Sequence, residues 1–538
     1  MDCRALSSAE LPHASKLYRH YVEDFPKVQA FYSHPPNPHE LASYAKQLRF
    51  PDERRRQVAG ILRGQNESFG AGEVTRKHLA RLEEGAVAVV TGQQVGLLGG
   101  PAYAFYKALT AIATARELTQ NGIAAVPVFW MATEDHDLDE VRQTTWFTEG
   151  NLQRFALPGV PDNAQPVGQI RLGDAIDGIV REATASLSGP FGGQLAEIVR
   201  QSYTPEETYG SAFGKMFARI FSEEGLILLD PLDPNLHRIA TVVLCQALAQ
   251  RDILNDLLLQ RGKDLNSAGY EVQVRVTSRS TLLFSLEGGR RQVISAANGG
   301  AFICAGKSAP RQEWLHRVDT APEKFSPNAL LRSVVQDYLL PTAAYLAGPA
   351  EIAYFAQSQV IYQTLLGRMP VIFPRADFTL VDPKGVRLLK KYKLEIADVW
   401  RGAQELRKAM YAKAIPKKLA REFERQLEKL EKSADKLHQA IAKVDPTLQG
   451  TITRAEKRIR YQLEKLRSKT GASLDRHEKQ VQHHAEFLEN LLYPHKGLQA
   501  RDLCFLPFLA RWGSDALEQL REHASVEKPG RHWVVPIP

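Results

Sequence analysis

Cysteine is scarce in this sequence. Cys3, Cys245, Cys304 and Cys504 are the only four in 538 residues, and none stands at a C-x-x-C or other metal-ligand spacing. That excludes a disulfide framework, and reduced thiols are expected. Long apolar runs are missing too. Stretches such as Ala86–Val90 end after a few residues, whereas a bilayer-spanning helix needs about 20, so no membrane partner is expected. The opening MDCRALSSAELPH lacks a basic segment followed by an apolar one, and the expected location is the cytoplasm. There are no internal repeats and no low-complexity tracts. Apolar residues at 44% and charged residues at 24% exclude wholesale disorder. At roughly 100 to 200 residues per domain, the length implies two to four units.

Lys and Arg outnumber Asp and Glu by 69 to 61, a net charge of +8. Residues 417 to 479 hold 17 of these cations against 10 acids and so account for nearly all of the surplus. The same stretch places Leu419, Phe423, Leu427, Leu430, Ala434, Leu437, Ile441 and Val444 at alternating steps of three and four, which is a coiled-coil seam. The pattern resumes from Ile452 to Leu491 after a break at Pro446 and Gly450. It predicts a long antiparallel α-helical hairpin with arms of roughly 40 Å. A second apolar face on such a hairpin favours a homodimer. Its cations read first as a solvated face and second as a nucleic-acid surface, although interleaved aromatics are missing.

Ahead of the hairpin, short apolar runs alternate with helical ones, the pattern of an α/β chain with parallel strands. Strands are predicted at Ala86–Val90, Ala125–Met131, Gly225–Asp230 and Val371–Phe373. A mixed strand and turn insertion is predicted from Val272 to Phe284 and from Val293 to Cys304, around Gly288 and Gly289. Ligands of open parallel sheets bind beyond the carboxyl ends of strands, and two unusual loops sit there. TGQQVGLLGGP carries Gly92, Gly96, Gly99 and Gly100, whose backbone can approach an anion, and Gln93 and Gln94 suit a polar ligand. A ligand-free tight turn fits equally well. Lys107, near the start of the next helix, can reach a phosphate or lie on the surface.

The second loop gathers Glu134, Asp135, His136, Asp137, Asp139 and Glu140. So many carboxylates need a compensating Mg²⁺, a substrate amine or a helix N-terminus. His136 is the acid/base candidate, with a capping histidine and an acidic first helical turn as the bland alternatives. Further on, Arg332 and Arg375 suit carboxylates, Gly348 admits backbone contact, and Glu351 suits an amine or hydroxyl. Structural ion pairs would use the same residues.

The strings TGQQVGLLGGPAYAFYKA, PVFWMATEDHDLDEV, LLRSVVQDYLLPTAAYLAGPAEIAYFAQ and PVIFPRADFTLV, in this order before a helical hairpin, closely resemble the bacillithiol biosynthesis cysteine-adding enzyme (BshC) family. LPHASKLYRHYVEDF and LYPHKGLQAR extend the resemblance across the chain. It implies a Rossmann-like parallel-sheet core with connecting insertions and a coiled coil that forms a homodimer. The implied segments are 1–150 for the first part of the core, 151–320 for insertions and 321–385 for the second part. Residues 386–500 would form the coiled coil and 501–538 a return to the core. The implied activity joins the carboxylate of cysteine to the amine of glucosaminyl malate.

The core resembles class I tRNA synthetases and mycothiol cysteine ligase, which use ATP-dependent adenylation, but H-I-G-H, K-M-S-K-S and a Cys/His zinc set are absent. ATP is the expected activator, Mg²⁺ on Asp135 and Asp137 is weighed, and no zinc is expected. On this resemblance His136, Lys107 and Asp135 are the catalytic candidates, and Gly92, Gln93, Gln94, Gly96, Gly99 and Gly100 hold the nucleotide. Tyr103, Glu134, Asp137, Arg332, Gly348, Glu351, Tyr354 and Arg375 face substrate. Replacing His136 or Lys107 is expected to stop the reaction without unfolding the chain. The rival readings are a nucleotide-binding dimeric scaffold without catalysis and a nucleic-acid binder.

Overall fold

A computed structural model describes residues 3–7, 10–158, 164–414, 417–474, 480–526 and 529–537. Its centre is a parallel sheet of five strands, β1 (Val87–Gln93), β2 (Ala125–Met131), β3 (Ile227–Leu229), β4 (Thr342–Ala347) and β5 (Val371–Pro374). They lie in the order β5-β4-β1-β2-β3. Alternate residues of β2 serve opposite faces: Val126, Val128 and Trp130 enter one apolar cluster, Phe129 and Met131 the other, as strand periodicity requires. With both faces covered, the strands read as near-continuous apolar runs. The chain runs outward from β1 through β2 to β3, then returns to the other side of β1 for β4 and β5. The gap between β1 and β4 is therefore the topological switch point, where such sheets bind ligands.

Three helices border that point: α1 (Tyr103–Gln120) after β1, α2 (Ala329–Leu339) before β4, and α3 (Pro349–Leu365) between β4 and β5. The insertion after β2 begins with a hairpin, Gln143–Thr148 with Asn151–Ala156. A second insertion, after β3, carries an antiparallel sheet that includes Ser280–Glu287 and Arg290–Ala296. Their turn is Gly288–Gly289, both at positive φ, a conformation two glycines adopt without strain. Val272 to Arg279, included in the predicted strand region, form none.

Asp377–Val381, placed with the core by sequence, instead pairs with Arg531–Pro536 in a separate sheet that also takes Arg4–Ser7. The hairpin consists of α4 (Lys417–Ala442) and α5 (Gln449–Leu474), bridged by Arg460–Glu431 at 2.6 Å and Arg467–Glu424 at 3.6 Å. The part of the predicted second arm that falls on 475–479 lies outside the described residues. From Gln480–Leu492 the chain rejoins the core, burying Leu488, Leu491 and Leu492.

Candidate functional site

The carboxyl ends of the strands open into a cleft with three connected parts. The central chamber, about 320 Å³, lies at the switch point, lined by Gly92 and Gln93 from β1, Gln94 just beyond it, Asp135 from beyond β2, Gly348 and Glu351 from beyond β4, and Arg375 from beyond β5. Lys107 and Tyr103 on α1, Arg332 on α2, Tyr354 on α3, Glu140 and Arg501 line it too.

Lys107 is buried rather than on the surface. Its Nζ stands 2.5 Å from Glu351 Oε2 and donates to the Gly92 carbonyl at 2.7 Å and to Gln93 Oε1 at 3.0 Å. Burial pushes the ammonium pKa down, with the Glu351 charge opposing it. Burial would raise the Glu351 carboxyl, but Lys107, the Gly348 N–H (2.7 Å) and the Tyr345 hydroxyl (2.7 Å) hold it below the usual range. The pair ties β1, α1 and α3 together beneath the chamber. Arg332 donates to the Tyr354 hydroxyl at 2.9 Å and the Tyr345 hydroxyl at 3.3 Å. Arg375 is buried and held by Asp377 at 2.7 Å, and His532 approaches Asp377 from behind at 3.4 Å. Gln93 donates to the Tyr103 hydroxyl at 3.1 Å, and burial pushes that phenol up to about 12.

The glycine loop divides in two. Gly92 lines the chamber, and a Cβ there would come 3.0 Å from the Trp130 carbonyl. Gly96, Gly99 and Gly100 do not line it. They fold into a buried turn in which a Cβ on Gly96 would lie 2.7 Å from Gly100 Cα, and Gly99 and Gly100 take positive φ. Close packing explains these three glycines.

The acidic loop disperses its charges. Asp135 turns to the cleft, accepts from Gln94 Nε2 at 2.8 Å and stands 3.6 Å from Arg291. Burial would raise it, but hydrogen bonds and Arg291 hold it well below the usual carboxylate range. That Gln94–Asp135 bond joins the two loops across the cleft. Asp137 is exposed and caps the helix Leu138–Val141 by accepting from the Glu140 N–H at 3.2 Å. Asp139 pairs with Arg142. Glu134 points inward, 3.4 Å from His237 Nε2, and burial pushes it up to about 8. Among the described residues, no three His, Cys, Asp or Glu side chains gather as metal ligands. His136 is 40% exposed, with Nδ1 3.2 Å from Arg291 Nη1, and stands outside the lining of the three parts of the cleft.

Beneath the inserted sheet lies a larger chamber of about 540 Å³, lined by Glu134, Arg275, Arg279, Phe284 and Arg291 among others. It shares Ala132, Asp135, Ala329 and Arg332 with the central chamber, so the two meet at a doorway. A third recess, about 300 Å³, adjoins the central chamber through Pro349, Arg375 and Arg501. Sequence reasoning missed Arg275, Arg279, Arg291 and Arg501. Arg291 had a signal in the Arg290–Arg291 pair that follows the Gly288–Gly289 turn, and Arg275 and Arg279 only in the basic segment before Ser280, but nothing local says that the insertion folds back over the sheet.

Residues 1–376 match the family described as "Bacillithiol biosynthesis BshC, N-terminal Rossmann-like domain", and residues 378–537 match "Bacillithiol biosynthesis BshC, C-terminal coiled-coil domain". Among curated proteins, a "Putative cysteine ligase BshC" of Koribacter versatilis is 40% identical over 526 residues, 97% of each chain. Proteins of the same name from Solibacter usitatus and Salinibacter ruber are 36% and 32% identical, each over at least 96% of both chains. A parallel core, a helical hairpin and end-to-end similarity agree: this chain belongs to the BshC family of bacillithiol biosynthesis proteins.

Proposed function

We propose that the chain is a cysteine ligase, forming the amide between the carboxylate of L-cysteine and the amine of glucosaminyl malate. One observation carries this reading: two chambers of different character meet at a doorway flanked by Asp135 and Arg332. A condensation needs two reactants held in contact, and preorganised contact supplies much of such a rate enhancement. A carboxylate does not acylate an amine at neutral pH unless it is activated, and ATP is the activator in this proposal.

The residues of the central chamber fit a polyphosphate. Lys107, Arg332, Arg375 and Arg501 line it against Asp135, Glu140 and Glu351, a small cationic excess, and the N-terminal turn of α3 opens onto it. Gln94 Oε1 is buried without a hydrogen-bond partner among the described residues, an acceptor suited to a ligand amine. Arg332 and Arg375, each fixed by its own neighbours, would stabilise charge on the activated acyl group without reorganising. A resident Mg²⁺ on Asp135 and Asp137 does not fit, since Asp137 caps a helix and Asp135 is engaged by Gln94 and Arg291; no step is routed through one. The reading includes a homodimer through α4 and α5, on which Leu437, Ile459 and Leu466 are exposed.

The test is to incubate the purified chain with cysteine, glucosaminyl malate, ATP and Mg²⁺ and to follow products by mass spectrometry. Bacillithiol appearing with AMP or ADP supports the reading. Its absence, with both substrates unchanged, contradicts it.

A further inference from the structure

The larger chamber has more cationic groups than a neutral sugar needs. Four guanidinium groups, those of Arg275, Arg279, Arg291 and Arg332, line it against two carboxyls, Glu134 and Asp135. An excess of at least two positive charges in a partly enclosed space selects a dianion. The arginines differ in how they are held. Arg291 is fixed: it stacks on Phe284 at 4.0 Å and donates to Ser326 Oγ at 2.9 Å and the Pro327 carbonyl at 2.8 Å. Arg279 donates from Nε to the Ala296 carbonyl at 3.2 Å and leaves its terminal nitrogens unengaged among the described residues. Arg275 is exposed and its guanidinium makes no hydrogen bond or ion pair among the described residues. Two forks without partners, beside a fixed third, are arranged to take carboxylates bidentately.

We infer that the larger chamber is the subsite for the dicarboxylate arm of the acceptor, with Arg275 and Arg279 reading its carboxylates and Arg291 fixing its orientation. This rests on the ligase reading and places the malate arm away from Arg332 and Arg375, the two arginines that suit carboxylates by sequence. Those two are already engaged, Arg332 by tyrosine hydroxyls at the doorway and Arg375 by Asp377. The malyl arm held under the inserted sheet directs the sugar amine to the doorway, toward an acyl group in the central chamber. The inserted sheet thereby becomes the specificity element of the enzyme. Arg275 and Arg279 lie on the surface of the insertion, so their removal leaves the core intact.

The experiment uses the full chain and its Arg275→Ala/Arg279→Ala variant, with calorimetric titration of glucosaminyl malate, of glucosamine without the malyl group, and of ATP. The variant is expected to bind glucosaminyl malate at least about tenfold more weakly. Its ATP affinity and melting temperature are expected to be unchanged, and glucosamine should not distinguish the two proteins. Unchanged affinity for glucosaminyl malate, or a loss of ATP affinity instead, overturns the inference while leaving the ligase reading standing if the wild type still makes product. A wild type that neither binds glucosaminyl malate nor forms product overturns that reading itself.

Discussion

Lys107 and Glu351 were both visible in the sequence as polar residues beside apolar runs, but as separate candidates for different ligands. Their partnership needs the β1–α1 and β4–α3 units brought side by side, which no local pattern encodes. Removing one member of a buried pair strands the other charge, at about 3–5 kcal/mol. Lys107→Ala should therefore lower the unfolding free energy by that much in denaturant titration, contrary to the expectation that the residue can be removed without affecting the fold. Lys107→Met/Glu351→Gln should recover part of the loss, since no bare charge remains, yet stay inactive. Glu134 gives a pH signature. Its carboxyl rises from 4.5 to about 8 on folding, so the folded chain holds a proton that the unfolded chain has released. The associated stability is full below pH 4.5 and is lost as pH rises through about 8, at no more than about 1.4 kcal/mol per pH unit. Subtracting the Glu134→Gln stability curve from the wild-type curve should show this fall across pH 4.5 to 8; a flat difference would mean that the carboxyl is not buried.

Among the elements, β1, β2, β3 and β5 are legible because Val, Ile, Leu and aromatic runs announce buried strands. β4 is not. Its sequence TAAYLA is rich in alanine, a helix former, and it becomes a strand only because the interior position between β1 and β5 admits small buried residues. The strand that defines the switch point is thus the one with the weakest local signature. The hairpin is the opposite case, since its three-and-four periodicity is read directly. Its cations pair with interleaved acids, as Arg460 does with Glu431 and Glu456, which favours the solvated-face reading. Leu437 and Leu466 are each 54% exposed, and a second copy would cover them. Sedimentation should find the full chain dimeric and Leu437→Asp/Leu466→Asp monomeric; a wild-type monomer at micromolar concentration would remove the hairpin's assigned role.

At the scale of the whole molecule, segments far apart in sequence converge on the cleft. The last described strand, Arg531–Pro536, lies between Arg4–Ser7 and Asp377–Val381, and its His532 backs Asp377, which in turn holds Arg375 in the central chamber. The C-terminal segment thus supports a cleft residue from behind. The glycine and acidic loops do meet, through Gln94 and Asp135, but half of each is structural: Gly96, Gly99 and Gly100 pack a turn, and Asp137 caps a helix. What remained hidden from sequence is the chamber roofed by the insertion, because arginines in an isolated surface insertion look like ordinary surface charge until the insertion is folded over the sheet. The central claim is that two reactants meet at the doorway between the chambers. A crystal structure of the chain with glucosaminyl malate and a sulfamoyl analogue of cysteinyl adenylate tests it most directly. The account predicts the malyl arm beneath the inserted sheet, the analogue beside Lys107 and Arg375, and the amine next to the acyl carbon between Asp135 and Arg332. Ligands in sites that do not adjoin, or both within one chamber, would contradict it.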